Sequence, residues 1–267
     1  MSIKRVVSAV IVAVFLSASG VYATFPRFTV TPWVFDPAKS NLVASGWSAG
    51  VGCATKQAFD DVTYGPGLPP SPFMEPACPT GDIWDKLNEG LGLVKTGPTY
   101  NNASAGATVN GAYGIYVGEL GYDLRKPVGI NPITLLPDPN PNDPRGSHCG
   151  GGSPRFNVVT RPTPTYPGGL FFAIACNSPV ATTVTGGAGG GFIRLRWGNG
   201  TVGSIVAYPF DFAANAWSSV PIALTDKVKS IDIVMDEGQD TGPDNFGLAI
   251  LDNIDINKVL IGRAYSW

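Results

Sequence analysis

Apolar and polar residues alternate along several short stretches of this chain, and a period of two residues is typical of a β-strand with one buried face. In residues 230–235, apolar side chains at 231, 233 and 235 alternate with polar ones at 230 and 232. Residues 192–197 repeat the pattern, and residues 168–176 form a more continuous apolar strand. About ten such strands, separated by turn residues, predict an all-β fold. We expect a two-sheet antiparallel sandwich, jelly-roll-like, with long Pro/Gly-rich loops.

One segment has helical spacing instead. From Thr80 to Gly90, the apolar residues Ile83, Trp84 and Leu87 recur at intervals of one, three and four. A threonine can cap the start and a glycine can terminate the end. The segment predicts at most one short helix.

The end of the chain predicts a hairpin with an acid at a sensitive position. After the strand at 230–235 and a turn-rich loop, a second apolar strand runs from Leu248 to Ile256. If Leu248, Ile250, Ile254 and Ile256 face a core, the period of two makes Asp252 face it too. A buried carboxylate without a partner costs on the order of several kcal/mol. Asp252 therefore needs a cation or hydrogen-bond donors.

Calcium is one way to meet this need, because it prefers several oxygen ligands and the loop before the strand is rich in carboxylates. Two alternatives remain open. A β-bulge near Ala249 would turn Asp252 outward, or Asp252 would accept hydrogen bonds from backbone N–H groups. The predicted calcium ligands are Asp236, Glu237, Asp240, Asp244 and Asp252.

The first 23 residues are predicted to be a secretory signal peptide. Lys4 and Arg5 precede an apolar run, and Val21-Tyr22-Ala23 matches a cleavage site. Residues 24–267 are then one β-sandwich domain, secreted to the extracellular space or periplasm. No later segment is long and apolar enough for a membrane span.

Charge narrows the range of partners. The chain has 18 basic and 20 acidic residues, so removing Lys4 and Arg5 leaves 16 against 20 and a net charge near −4. This balance argues against nucleic acid as a partner. The 34 glycines and 24 prolines favour turns over long helices.

The cysteines number four, and all follow the signal peptide. An even number in an exported chain predicts two disulfides. Sequence proximity favours Cys53–Cys78 and Cys149–Cys176 among three possible pairings.

Exposed aromatic and cationic residues are candidates for ligand binding. Aromatic rings provide flat apolar platforms for sugars, and arginine can meet an anionic group. The sequence predicts no catalytic residues, because the single histidine, His148, has no evident partner acid or nucleophile. The predicted ligand-binding residues are Trp33, Trp84, Trp217, Arg194 and Arg196.

Two motifs, SHCGGGSPRFNV at 147–158 and DEGQDTGPDNFGLAILDNI at 236–254, resemble those of a group of exported, largely uncharacterised bacterial β-sandwich proteins. The strand LAILDNIDIN is similar to the last strand of galactose-binding-like carbohydrate-binding modules. That similarity implies a structural calcium with Asp252 as a ligand.

These observations predict a secreted, non-catalytic module that binds a glycan or another extracellular polymer and is stabilised by calcium and two disulfides. The alternatives are a structural or assembly protein of the cell exterior and, third, a secreted hydrolase. The sequence indicates neither the ligand nor the oligomeric state.

Overall fold

The computed structural model describes residues 28–53, 81–82, 84–96, 103–126, 152–177, 182–185, 192–236 and 246–264. The predicted signal peptide lies outside them. The described residues form sixteen strands, numbered along the chain: Thr29–Phe35 (β1), Val43–Ser48 (β2), Gly90–Thr96 (β3), Ser104–Asn110 (β4), Glu119–Arg125 (β5), Arg155–Thr160 (β6), Leu170–Ala175 (β7), Thr182–Thr185 (β8), Ile193–Gly198 (β9), Val206–Ala207 (β10), Pro209–Asp211 (β11), Ala216–Trp217 (β12), Ile222–Ala223 (β13), Val228–Met235 (β14), Phe246–Ile256 (β15) and Val259–Ile261 (β16).

The strands form two main antiparallel sheets. The first sheet has the order β1-β4-β14-β6-β7-β11-β12, and the second has the order β2-β3-β15-β5-β9-β8, with β16 paired to β15. Strands β10 and β13 form a separate antiparallel pair. The predicted all-β, two-sheet sandwich is confirmed.

The strand order is that of a jelly roll. Successive strands from β3 to β6 alternate between the sheets, and the two long C-terminal strands are inserted between them. Strand β14 lies between β4 and β6, and β15 lies between β3 and β5. The two long C-terminal strands are therefore central strands, one in each sheet.

The core lies between the sheets and is built mainly from alternate residues of the strands. In β14, Ile231, Ile233 and Met235 are buried, as the period of two predicts. Across the sandwich, Phe156, Tyr122 and Trp197 form a ring cluster with centroids 5.2 to 5.9 Å apart. Phe156 of the first sheet thus packs edge-on against Trp197 and at a tilt against Tyr122 of the second sheet.

The short helix predicted over Thr80–Gly90 is wrong. The described residues between 81 and 89 form turns and bends, and Gly90 begins β3. Two aspartates compete for the backbone donors that a helix would use. Asp82 accepts a hydrogen bond from the N–H of Trp84, and Asp85 accepts one from the N–H of Glu89.

The predicted C-terminal hairpin is also wrong, although both of its strands exist. Strand β14 belongs to the first sheet and β15 to the second, so residues 236–245 connect two sheets rather than two paired strands. Within its described residues, the chain has no helix that could span a membrane.

Candidate functional site

Strand β15 contains a β-bulge that changes which residues face the core. Its pairing with β5 shifts between Asp252 and Asp255, where Asn253 adopts a φ of +45°. Ala249 and Leu251 face the core before the bulge, and isoleucines 254 and 256 face it afterwards. The prediction that Asp252 shares the core face with Leu248, Ile250, Ile254 and Ile256 is therefore wrong.

Asp252 is nevertheless buried, because chain segments cover the outer face of the second sheet. Its carboxylate accepts hydrogen bonds from the backbone N–H groups of Cys53, at 2.7 Å, and Asn253. Burial raises the pKa of Asp252 well above its ordinary value, and the hydrogen bond from Cys53 opposes this shift. Of the alternatives derived from the sequence, the backbone donors are present, whereas the pairing around Ala249 is regular and Asp252 is buried rather than turned to solvent.

The segment 81–89 is anchored to β15 beside Asp252. The backbone N–H of Asp82 donates to the Asn253 side chain at 2.8 Å, and the Nε atom of Arg263 lies 3.3 Å from the Asp82 carboxylate. Both carboxylate oxygens of Asp85 accept a hydrogen bond from the backbone N–H of Glu89. Burial raises the pKa of Asp85 to about 7, so this carboxyl group titrates near neutral pH.

Next to this anchor, the outer face of the second sheet contains a buried ionic network. Asp123 on β5 is fully buried and receives a bidentate pair of hydrogen bonds from Arg194 on β9, at 2.8 and 2.9 Å. The side chain of Asn253 donates to the same carboxylate at 2.9 Å. Arg196 lies 3.6 Å from Asp123 and 3.0 Å from Asp255. The two predicted ligand-binding arginines are thus already neutralised by aspartates.

A glycine makes room for this network. A Cβ atom at Gly121 would lie 2.3 Å from Cδ of Arg196 and 2.6 Å from the carbonyl oxygen of Leu195. The Arg196 side chain therefore lies directly across β5. Burial raises the pKa of Asp255 to about 6, while the charge of Arg196 opposes that shift.

Asp236 lies at the end of β14 and has a cationic partner of its own. Arg155 on β6 donates to both of its oxygens at 2.7 Å, and the hydroxyl of Ser153 also donates to it. Burial opposes the charged form of Asp236, but the hydrogen bonds and charge of Arg155 outweigh it and lower the pKa. Lys95 donates to the Asp236 carbonyl oxygen at 2.7 Å.

The predicted calcium ligands are divided by these positions. Asp236 directly follows β14 in the first sheet. Asp252 lies in the second sheet, six residues after the start of β15, which is about 20 Å along that strand. Among the residues that the structure describes, no group of three acidic, histidine or cysteine side chains could hold a metal. Glu237, Asp240 and Asp244 lie outside the described residues, so calcium binding stays a prediction.

Two of the four cysteines can be located. Cys53 and Cys176 are each disulfide-bonded and buried. Cys176 follows β7, which pairs with β6 as an antiparallel neighbour. Cys78 and Cys149 lie outside the described residues, so the pairing remains a prediction.

The outer face of the first sheet has a different character, because aromatic residues form a row across three strands. Phe171, Phe210 and Trp217 are cross-strand partners on β7, β11 and β12. The Trp217 ring lies 6.0 Å from Phe171 and 5.6 Å from Phe210 between centroids. Trp217 is 56% exposed. We call these three residues the aromatic row.

The other two predicted tryptophans lie elsewhere. Trp33 on β1 lies on the same outer face at the opposite edge of the sheet, packed over Gly106, where a Cβ would approach its ring to 2.3 Å. Trp84 is 65% exposed on the segment that covers the second sheet. The structure therefore does not bring the three tryptophans together.

Sequence reasoning missed Phe171, Phe210 and Asp123. Phe171 lies next to core residue Phe172, and only the period of two separates their faces. Asp123 has a clearer signal, because it is the polar residue at the outward position of an apolar strand. Its partner could be identified only after β5 and β9 were known to be neighbours.

Comparisons with protein-family models, curated proteins and solved structures find no match.

Replacing Asp123 with asparagine should destabilise the protein by about 3–5 kcal/mol, because it leaves the Arg194 and Arg196 guanidinium groups without their shared anion. Urea unfolding under oxidising conditions measures the change. The matched control is Asp226→Asn, which removes a carboxylate from a partly exposed loop position and should cost no more than about 1 kcal/mol. Equal small losses in both variants would contradict a structural role for the network.

Stability should rise as the pH falls from about 8 to about 5. An unfolded aspartate takes up its proton near pH 3.8, whereas folded Asp85 does so near pH 7. Between these values the folded state binds more protons, so the free energy of unfolding increases on acidification. The charges facing Asp85 are those of Glu89, Asp82 and Asp252. Thermal melts across this range should show a smaller rise for Asp85→Asn, and an unchanged slope in that variant would refute the assignment.

Proposed function

We propose that this protein is a secreted, non-catalytic module that binds a glycan or another extracellular polymer on the outer face of its first sheet. The observation that supports this most directly is the aromatic row, with Trp217 more than half exposed at its end. An exposed tryptophan stacks on the apolar face of a sugar ring. The resemblance of LAILDNIDIN, in β15, to the last strand of galactose-binding-like carbohydrate-binding modules points to the same class of ligand.

Hydrogen-bonding groups lie beside the aromatic row on the same face. Thr108, Asp232 and Asn157 are cross-strand neighbours on β4, β14 and β6, and Thr108 donates to Asp232 at 2.6 Å. Their row is one side-chain repeat, about 7 Å, from the row that contains Phe171. A combination of apolar platform and polar groups is what fixes the orientation of a sugar.

The ring geometry favours a single chain over a flat polymer surface. The planes of Phe171 and Phe210 are tilted by 67° and 70° from that of Trp217. Three rings at such angles cannot form one coplanar platform. We therefore favour a soluble glycan that stacks one ring on Trp217.

The edge of the first sheet argues against assembly through strand addition. In the edge strand β1, the indole N–H of Trp47 donates to the carbonyl oxygen of Val30 at 3.0 Å. Pro32 in the same strand has no N–H to offer. Both features protect an edge from pairing with another chain. This favours a binding module over a polymerising protein.

Substituting Trp217 with alanine should weaken glycan binding by about tenfold, because stacking on an aromatic ring contributes roughly 1–1.5 kcal/mol. A glycan array identifies the ligand, and titration calorimetry with that soluble glycan measures the loss. The matched control is Trp84→Ala, which removes another exposed tryptophan, from the segment that covers the second sheet. Equal affinity of wild type and Trp217→Ala would overturn the proposed site, and an empty array would overturn the proposed function.

Calcium is a separate part of the proposal, supported by three carboxylates within residues 237–244. An ion that binds the folded state raises the melting temperature, so calcium should raise it and a chelator should reverse the effect. A melt of the mature protein in millimolar calcium, then with excess EGTA, tests this. An unchanged midpoint would remove calcium from the proposal and leave the aromatic row unaffected.

A further inference from the structure

One end of the sandwich has exposed tyrosines and cations on three neighbouring loops. The loops are residues 111–118 between β4 and β5, residues 161–169 between β6 and β7, and residues 224–227 before β14. Tyr113 is 68% exposed and Tyr116 is 50% exposed. The Arg161 guanidinium lies 5.2 Å from the Tyr113 ring centroid, and the Lys227 ammonium lies 5.4 Å from that of Tyr116. We call these four residues the tyrosine end.

Backbone hydrogen bonds hold the tyrosine end together. The N–H of Arg161 donates to the carbonyl oxygen of Lys227 at 2.8 Å. The N–H of Gly114 donates to the carbonyl oxygen of Val228 at 2.8 Å, and the N–H of Val228 donates to the carbonyl oxygen of Ile115 at 2.9 Å. The loop backbones that carry the two cations therefore have fixed relative positions, so a ligand would not have to order the loops on binding.

The charges of the tyrosine end are not neutralised in the way that others in the protein are. Arg155, Arg194 and Arg196 each form an ion pair with an aspartate. Neither Arg161 nor Lys227 forms an ion pair with a carboxylate among the described residues, and both are exposed. In a chain with a net charge of −2, these cations concentrate positive charge at one place.

Other charges near this end change the balance little. Lys258 is exposed in the adjoining turn after β15, and its backbone N–H donates to Asp255, whose carboxylate also pairs with Arg196. The acidic neighbours are Asp226, next to Lys227 in the chain, and Glu119, at the start of β5. With Lys229 at the start of β14 and Asp211 at the end of β11 also counted, four exposed cations against three partly exposed acids leave this end positive.

The tyrosine end is also continuous with the aromatic row. The N–H of Phe212 donates to the carbonyl oxygen of Gly169, in the loop that contains Arg161. The ring of Phe212 lies 5.7 Å from that of Phe210. A chain that stacks on Trp217 could therefore extend toward the cations over this loop.

We infer that the tyrosine end binds the anionic groups of an acidic polysaccharide, one that bears carboxylates or sulfates. The inference rests on the proposed function, since it takes the partner to be a glycan. A few fixed cations beside aromatic rings suit anions spaced along a sugar chain. Nucleic acid and anionic membranes instead require a broad basic surface, which an acidic protein with a local basic end does not provide.

The test uses the mature protein and three polymers: dextran sulfate, polygalacturonate and uncharged dextran. Affinity electrophoresis at low salt should show retardation by at least one anionic polymer and weaker retardation by dextran. The double variant R161Q/K227Q keeps a polar side chain at each position but loses both charges. Its affinity for the anionic polymer should fall about tenfold, since two exposed charge contacts contribute roughly 1.4 kcal/mol together. The wild-type affinity should also fall as salt is added.

The control variant K39Q/K86Q removes two exposed lysines away from this end. It should bind as the wild type does. Equal losses in both double variants, an unchanged affinity in R161Q/K227Q, or no retardation by either anionic polymer would overturn the inference. If R161Q/K227Q binds normally while Trp217→Ala does not, the proposed function stands and the acidic ligand does not. Comparing sulfate with carboxylate polymers identifies which anion is recognised.

Discussion

The bulge in β15 is the constraint on which the second sheet depends. Strand β15 is central, between β3 and β5, so its apolar face must fit the core over its whole length. One extra residue between Asp252 and Asp255 lets Leu251 and Ile254 both point inward, although they are three positions apart. The same residue places Asp252, Asn253 and Asp255 among the polar groups of the outer face. Core packing and the ionic network are therefore consequences of a single irregularity.

The two outer faces of the sandwich consequently differ in what they can do. On the second sheet, Asp123, Arg194 and Arg196 satisfy one another, and the segment 81–89 covers Asp252 beside them. A ligand would have to compete with bonds that already exist there. On the first sheet, the aromatic row ends in an exposed ring. A ligand that stacks on this exposed ring displaces water rather than an existing ion pair.

Much of the fold follows from residue order, and the failures have identifiable causes. Alternation in β9 predicts its buried face because that strand keeps a regular period, and alternation in β14 predicts the buried Ile231 and Ile233 after an irregularity between Val228 and Ser230. The same rule fails in β15, because no local signal in Asp252-Asn253 marks a bulge. The helix predicted over Thr80–Gly90 fails because helical spacing ignores side chains such as that of Asp85, which bond their own backbone.

The sequence can identify single candidate residues of a site, but it cannot identify the residues that contact them from other strands. Trp217 is recognisable as an aromatic residue near a turn, yet its platform depends on Phe171, which is 46 positions away and becomes a neighbour only through β11. Arg194 shows the opposite case. Its outward position is readable from the period of two, but its partner on β5 removes the free charge that made it a ligand candidate. Because non-local pairing decides whether a charge is free, Arg161 and Lys227 gain significance from the ion pairs that the other arginines make.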